Sequence, residues 1–129
     1  MESNVEKVDQ LFPEYKIWIA DEKGCGILGD GKWRILRAVE EHGSLVAACK
    51  ALNITYRRTW GDLQTIGLQL GFPLLSTVRG GRDGGGSALS PQGKKLVEAF
   101  DKFHERTDQV VNDALATFLD DVKSIGMGD

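Results

Sequence analysis

Residues 44–60 read SLVAACKALNITYRRTW, and this stretch is typical of two short helices joined by a tight turn. Ser44 is a good N-cap for the first helix, LVAACKAL, because its hydroxyl can accept a backbone N–H of the first turn. Asn53 tolerates the left-handed conformation and can end that helix. Thr55 can then cap a second helix, YRRTWGDLQTIGLQL. Two helices separated by about three residues predict a helix-turn-helix.

The second helix of the pair has an apolar side and a basic side. The residues that recur at helical spacing, and that we expect to face the core, are Tyr56, Trp60, Leu63, Gly67 and Leu70. Those expected to face outward near the N-terminal end are Arg57, Arg58, Thr59 and Asp62. An arginine guanidinium can donate one hydrogen bond to guanine O6 and another to N7, or it can bind a phosphate. The alternative is that Arg57 and Arg58 are exposed to solvent and contact no ligand.

The segments before this pair predict a strand and a helix. YKIWIA (15–20) alternates as a strand, with Ile17 and Ile19 on one face. DEKGCGILGDG (21–31) is rich in glycine and predicts a break in regular structure. Asp30 can cap a helix through KWRILRAVEEH, and Gly43 can end it in the left-handed conformation.

Residues 79–90, RGGRDGGGSALS, hold a run of glycines with two arginines. No lysine followed by Ser or Thr comes after these glycines, as a Walker loop needs, and no βαβ unit surrounds them. A linker would join two domains, whereas only one long helix follows. A short strand on each side predicts a hairpin tip, the wing of a winged helix-turn-helix, with Arg79 and Arg82 able to reach phosphates or a minor groove. A flexible hairpin without a ligand is the alternative.

One long helix is predicted from about residue 91 to residue 125. Its apolar positions alternate steps of four and three, as in the seam of a coiled coil: Leu96, Phe100, Phe103, Thr107, Val110 and Ala114, with the seam shifting sideways through Leu115, Phe118 and Val122. A domain this small cannot cover so long an apolar edge, so we expect a homodimer. A helix folded back on its own domain is the alternative.

The charges are segregated along the chain. Residues 1–29 carry a net charge of −3, residues 30–95 carry +5 and residues 96–129 carry −5, which together give the total of −3. A basic centre between acidic ends indicates a nucleic-acid surface better than the net charge does. Segregation of solvated charge by chance is the alternative.

Enzymatic, metal and membrane functions find little support in the sequence. Neither His42 nor His104 has a nucleophile or carboxylate at a spacing suited to catalysis, so we expect no catalytic residues, metal or cofactor. Cys49 is expected to be a small buried hydrophobe and Cys25 to be exposed in a loop. No signal peptide or membrane span is apparent, and we expect a cytoplasmic protein.

The segments KWRILRAVEEHGSLVAACKALNITYRRTW, LGFPLL and GGRDGGGSALSPQG resemble the N-terminal winged-helix domain of ModE-type, molybdate-responsive transcriptional regulators, whose helix-turn-helix is LysR-like. The resemblance covers residues 16–93. It implies a dimer that binds double-stranded DNA at a palindromic operator, and a regulatory link to molybdenum uptake or molybdoenzymes. Full-length family members hold molybdate in C-terminal domains, so this sequence gives no expectation of direct molybdate binding. Gly61 and Gly67 depart from a good helix, each costing about 1 kcal/mol relative to Ala.

The expected fold is therefore mainly α with a small β component, a winged helix-turn-helix followed by a long dimerisation helix. A tail (1–14), a DNA-binding domain (15–93) and the helix (94–125) are expected in that order. The residues expected at the DNA are Ser44, Thr55, Tyr56, Arg57, Arg58, Thr59, Arg79, Gly81, Arg82, Gly84 and Gly85. Those expected at the dimer interface are Leu96, Phe100, Phe103, Val110, Ala114 and Phe118. A protein-interaction module that does not bind DNA, and an oxyanion sensor using the glycine loop, stay open.

Overall fold

The computed structural model describes residues 7–78 and 86–128. The elements follow the order β1 (Trp18–Ala20), β2 (Gly26–Gly29), α1 (Asp30–His42), α2 (Leu45–Leu52), α3 (Tyr56–Leu70), β3 (Leu75–Val78), β4 (Gly86–Leu89) and α4 (Pro91–Met127). The prediction of a mainly α fold with a small β component and a long C-terminal helix is confirmed. Within these residues, no helix has the length and hydropathy needed to cross a membrane.

The chain divides into two compact units. The central unit is Lys16–Phe100, and the terminal unit combines Met1–Tyr15 with Asp101–Asp129. The core of the central unit is formed by α1, α2, α3, the hairpin strands and the N-terminal part of α4. Its most deeply buried large apolar side chains are Leu36, Val39, Leu45, Leu63 and Leu74.

The turns on either side of α2 follow the cap signals in the sequence. Gly43 ends α1 in the left-handed conformation, with φ of 86°. The Ser44 hydroxyl accepts the backbone N–H of Ala47 at 3.1 Å, which caps α2 as predicted. Asn53 ends α2 with φ of 56° and ψ of 50°, and among the described residues it is the one non-glycine residue with positive φ. These three local predictions are confirmed.

The region before α1 differs from the prediction. Residues 26–29, expected to be irregular, form β2 and pair antiparallel with β1. A side chain at Gly29 would place its Cβ 2.6 Å from the Cβ of Trp18, so the glycine permits the close pairing of the two strands. Gly29, not Asp30, is the N-cap of α1. The Asp30 carboxylate instead accepts the backbone N–H of Ile17 at 3.1 Å and so helps to hold the strand pair to the helix.

The hairpin and the start of α4 are joined at Ser90, which is fully buried. Strands β3 and β4 are antiparallel, with Leu75 opposite Leu89 and Val78 opposite Gly86. The Ser90 hydroxyl donates to the Pro73 carbonyl at 2.5 Å and accepts the Gly93 N–H at 2.9 Å. Because both of its hydrogen-bonding roles are used, this polar side chain is buried without an unpaired group.

The terminal unit holds an N-terminal segment against α4. Tyr15 donates a hydrogen bond to the Asp108 carboxylate, and Lys123 forms an ion pair with Asp9. His104 stands 3.2 Å from Asp108 and stacks on Tyr15. Residues 7–10 of this segment form a short helical turn, in which the Gln10 N–H donates to the Lys7 carbonyl at 3.1 Å. Because Asp9 contacts residue 123 and Tyr15 contacts residue 108, the segment runs antiparallel to α4.

The apolar seam of α4 does not all face one way. Phe100, predicted at a dimer interface, is 4% exposed and packs on Trp33 with ring centroids 5.4 Å apart. Leu96 is partly buried against the same core. The remaining predicted interface residues are exposed: Phe103, Val110, Ala114 and Phe118. The spacing predicts a continuous seam because Phe100 keeps the heptad position. In the structure, however, the Phe100 side chain is part of the core of the same chain.

The burial of Phe100 yields a test of this arrangement. Phe100→Ala should lower the free energy of unfolding by about 3 kcal/mol, because it removes a buried ring and leaves a cavity. Phe12→Ala is the matched control, since Phe12 is 74% exposed and should change stability by less than about 0.5 kcal/mol. Urea unfolding of both variants measures the difference. Equal losses would contradict the assignment of Phe100 to the core.

The left-handed Asn53 yields a second test. Asn53→Ala should lower the free energy of unfolding by about 1 kcal/mol, because alanine is strained in this conformation. Asn53→Gly should leave stability within about 0.5 kcal/mol of the wild type, because glycine adopts positive φ freely. Thermal and urea unfolding measure both. Alanine and glycine variants of equal stability would show that the turn does not require this conformation.

Candidate functional site

The helix pair α2 and α3 brings together most of the described residues predicted at a nucleic-acid interface. Leu45 and Ala48 of α2 are fully buried, and Cys49 is buried beside them, as predicted. The backbone N–H of Ile54 donates to the Cys49 carbonyl at 3.0 Å, which folds the chain back directly after α2. Only Asn53, Ile54 and Thr55 separate the helices. The turn is thus short and internally bonded, and it fixes the direction in which α3 leaves.

The N-terminus of α3 has no side-chain cap. Thr55 occupies the N-cap position with extended backbone angles, but its side chain makes no capping hydrogen bond. Its carbonyl instead accepts the backbone N–H of Thr59 at 3.1 Å and the Thr59 hydroxyl at 2.8 Å. The position of the predicted cap is correct and its predicted hydrogen bond is not. The Thr55 side chain is exposed.

The buried face of α3 differs from the predicted one. Thr59, Leu63, Ile66 and Gly67 are the buried residues. Tyr56 and Trp60, predicted to face the core, are 39% and 42% exposed, and Thr59, predicted to face outward, is 5% exposed. The predicted apolar face and the buried face share Leu63 and Gly67. The aromatic side chains of Tyr56 and Trp60 led to the wrong prediction. A small Thr59 whose hydroxyl bonds to its own helix can be buried closely at little cost.

The outward face of α3 carries basic and polar side chains, next to the exposed Tyr56, Trp60 and Leu68. Arg57 and Arg58 are exposed in its first turn, as predicted. At 3.6 residues per turn, Gly61 follows them on this face, with Gln64 and Thr65 one turn further on. Gln64 and Thr65 are exposed as well. Two guanidinium groups therefore stand at the N-terminal end of a strip that continues along the helix.

An ion pair links this face to α1. The Lys32 ammonium lies 2.9 Å from the Asp62 carboxylate, and both side chains are more than one-third exposed. Its contribution to stability is therefore small, about 0–1 kcal/mol. Its electrostatic effect is local: Lys32 offsets the charge of Asp62, which lies one helical turn after Arg58. Sequence reasoning missed this pair, because residues 30 positions apart give no local signal of contact.

A cleft of about 310 Å³ lies where α1, the turn and α3 meet. Its lining residues are Lys32, Ile35, Ile54, Thr55, Arg58, Thr59 and Asp62. The lining brings together two cations, one carboxylate and two threonine hydroxyls at the end of α3 that bears the exposed arginines. This corner of the central unit is thus concave and polar beside a basic helix end.

The other predicted contact residues fall elsewhere. Ser44 lies at the start of α2, half-buried, with its hydroxyl engaged in the cap. The predicted hairpin is confirmed by the pairing of β3 with β4. Five residues predicted at its tip lie outside the described residues: Arg79, Gly81, Arg82, Gly84 and Gly85.

Comparison with known proteins gives several relatives, although no family model matches the chain. It is 30% identical over 111 residues to the molybdenum transport protein ModE of Azotobacter vinelandii, covering 78% of this chain and 41% of that protein. It is 32% identical over 76 residues to the transcriptional regulator ModE of Haemophilus influenzae, covering 59% of this chain and 29% of that one. The molybdenum-pterin-binding protein MopB of Rhodobacter capsulatus is 32% identical over 73 residues, covering 57% and 27%.

The matched part of the chain thus spans between about a quarter and two-fifths of the length of these relatives. Two of these names refer to molybdenum, and the third refers to transcriptional regulation. Over 57–78% of its length, the chain is homologous to the molybdenum-related ModE and Mop proteins.

Proposed function

We propose that this chain is a sequence-specific DNA-binding transcriptional regulator, with the N-terminal part of α3 as its recognition surface. The observation that carries the proposal is the exposure of Arg57 and Arg58 on the first turn of the second helix of a closely joined pair. In a helix-turn-helix this end of the second helix enters the major groove. An exposed guanidinium there can pair with a guanine edge through two hydrogen bonds.

The elements around α3 support a winged helix-turn-helix. Helix α2 can cross the DNA backbone, and the β3–β4 hairpin follows α3 as a wing does. The exposed Thr55 hydroxyl makes no cap, so it is available to donate to a phosphate oxygen. Because Lys32 forms an ion pair with Asp62, this carboxylate repels a nearby phosphate less than an unpaired carboxylate would. Each of these features favours an anionic double-stranded partner.

The relatives supply the regulatory context. One of them is named a transcriptional regulator, and two are named for molybdenum transport or molybdenum-pterin binding. We infer a regulator of genes connected with molybdenum, acting in the cytoplasm without catalysis. The proposal for this chain concerns DNA binding through the central unit.

We further propose that two copies associate through the distal part of α4. Phe103, Val110 and Phe118 are each more than two-fifths exposed, and Ala114 is also exposed. At 100° per residue, these four side chains fall within about 80° of one another around the helix axis. An apolar stripe of this kind is typical of an interface. A second copy fits because an isologous interface pairs the stripe of one copy with the same stripe of the other. The resulting dimer would contact the two half-sites of a palindromic operator.

The DNA proposal is tested with Arg57→Ala and Arg58→Ala. Each should weaken binding to the preferred duplex about 5- to 150-fold, because a bidentate base contact is worth roughly 1–3 kcal/mol. Fluorescence anisotropy with a duplex obtained by in-vitro selection measures the affinity. For the wild type the affinity should fall steeply with salt concentration, as counterions are released.

Arg106→Ala is the matched control, since Arg106 is exposed on α4 outside the basic centre. It should change the affinity less than twofold. If Arg106→Ala lost as much DNA affinity as the α3 variants, the loss would be an effect of net charge and not of a specific contact. A wild type that shifts no DNA pool at low salt would overturn the proposal in favour of a protein-interaction module.

The dimer proposal is tested with Val110→Glu and Phe118→Glu in one chain. Two carboxylates on the apolar stripe should give monomers at micromolar concentration in sedimentation velocity, because like charges would meet across the interface. The control is Asn112→Glu, exposed on the opposite side of α4, which should remain dimeric. A monomeric wild type at these concentrations would contradict the association.

A further inference from the structure

Two glycines interrupt α3, and the structure explains only one of them. A Cβ at Gly67 would lie 2.8 Å from the Phe72 carbonyl oxygen, so this glycine lets the turn after the helix pack closely. A Cβ at Gly61 would meet no heavy atom of the described residues within 4 Å, beyond its own neighbours and helix backbone. Glycine is the poorest helix former after proline. Nothing that the structure describes within the chain compensates for it at position 61.

The surroundings of Gly61 point to what lies against it. It stands one turn after Arg57 and Arg58 and one turn before Gln64 and Thr65, all exposed. Its carbonyl accepts the Thr65 hydroxyl at 3.0 Å, and the helix continues through this position. Gly61 thus exposes backbone between two arginines and a Gln–Thr pair, the residue types that contact phosphates and base edges.

The dimensions of a helix in a groove make that bare patch useful. An α-helix with its side chains is about 10–12 Å across, and the major groove is about 12 Å wide and 8.5 Å deep. A helix of this size fits with little clearance. Removing the side chain from the face directed at the groove lets the helix axis lie closer to the base edges, within reach of shorter contacts.

We propose that Gly61 is the point of closest approach between α3 and the DNA, and that its missing side chain sets the depth at which the helix sits in the major groove. This inference rests on the proposed function. It makes Gly61 a positioning residue: it contributes no hydrogen-bonding side chain, and it determines whether Arg57 and Arg58 reach the base edges together.

The proposal predicts opposite effects of Gly61→Ala on stability and on binding. The midpoint of thermal unfolding should rise by about 2–5 °C, because alanine favours the helix and the added methyl group has open space. DNA affinity should fall at least fivefold. Gly61→Leu should fold equally well and bind at least fiftyfold more weakly, since a larger side chain holds the helix further from the bases.

Two control variants separate this role from packing and from helix propensity. Gly67→Ala should lower the unfolding midpoint, because its Cβ would crowd the Phe72 carbonyl. Gly126→Ala, also in open space but in the last turn of α4, should leave DNA affinity within twofold of the wild type. Calorimetry and anisotropy titration on the same preparations provide both readouts, and sedimentation velocity checks the oligomeric state.

Wild-type affinity in Gly61→Ala and Gly61→Leu would overturn the inference while leaving the proposed function standing. A loss of affinity that accompanied a loss of the dimer would also overturn it, because the position would then serve self-association. Failure of the wild type to bind DNA is a separate result and would remove the proposed function itself.

Discussion

The placement of α3 depends on three residues between two helices. With Asn53 in the left-handed conformation and the Ile54 N–H bonded to the Cys49 carbonyl, the chain has little freedom in how it leaves α2. That constraint presents Thr59 to the core and turns Arg57 and Arg58 to solvent. The burial of Leu63 and Ile66 follows from the same orientation. A basic surface therefore arises from backbone geometry in the turn as much as from the arginines themselves.

Features that depend on neighbouring residues could be predicted from the sequence, and features that depend on distant contacts could not. The caps at Gly43, Ser44 and Asn53 are local, because each uses groups within a few residues. Which of two overlapping stripes on α3 becomes buried depends on the elements packed against it, and aromatic size misled the choice. The use of Phe100 inside the chain likewise depends on Trp33, which lies 67 positions earlier in the sequence. The pairing of Lys32 with Asp62 has the same cause.

Helix α4 divides its apolar residues between two tasks. Its N-terminal part completes the core of the central unit through Val97 and Phe100. Further along, Leu119 is buried within the terminal unit, while Val110 and Phe118 are exposed. The heptad pattern therefore does not distinguish the residues that are buried within one copy from those that are exposed on its surface. Burial, and not spacing, separates the two sets.

The contacts of the terminal unit also bear on the order in which the chain folds. Tyr15 and Asp108 are 93 positions apart, so Tyr15 cannot find this partner until Asp108 has been synthesised. During synthesis, which proceeds from the N-terminus, the central unit is complete once Phe100 has emerged, whereas Asp9 gains its partner only after Lys123 has emerged. Closing so long a loop carries an entropic cost that local contacts avoid. Asp9 and Tyr15 thus remain without these partners after the central unit has been synthesised.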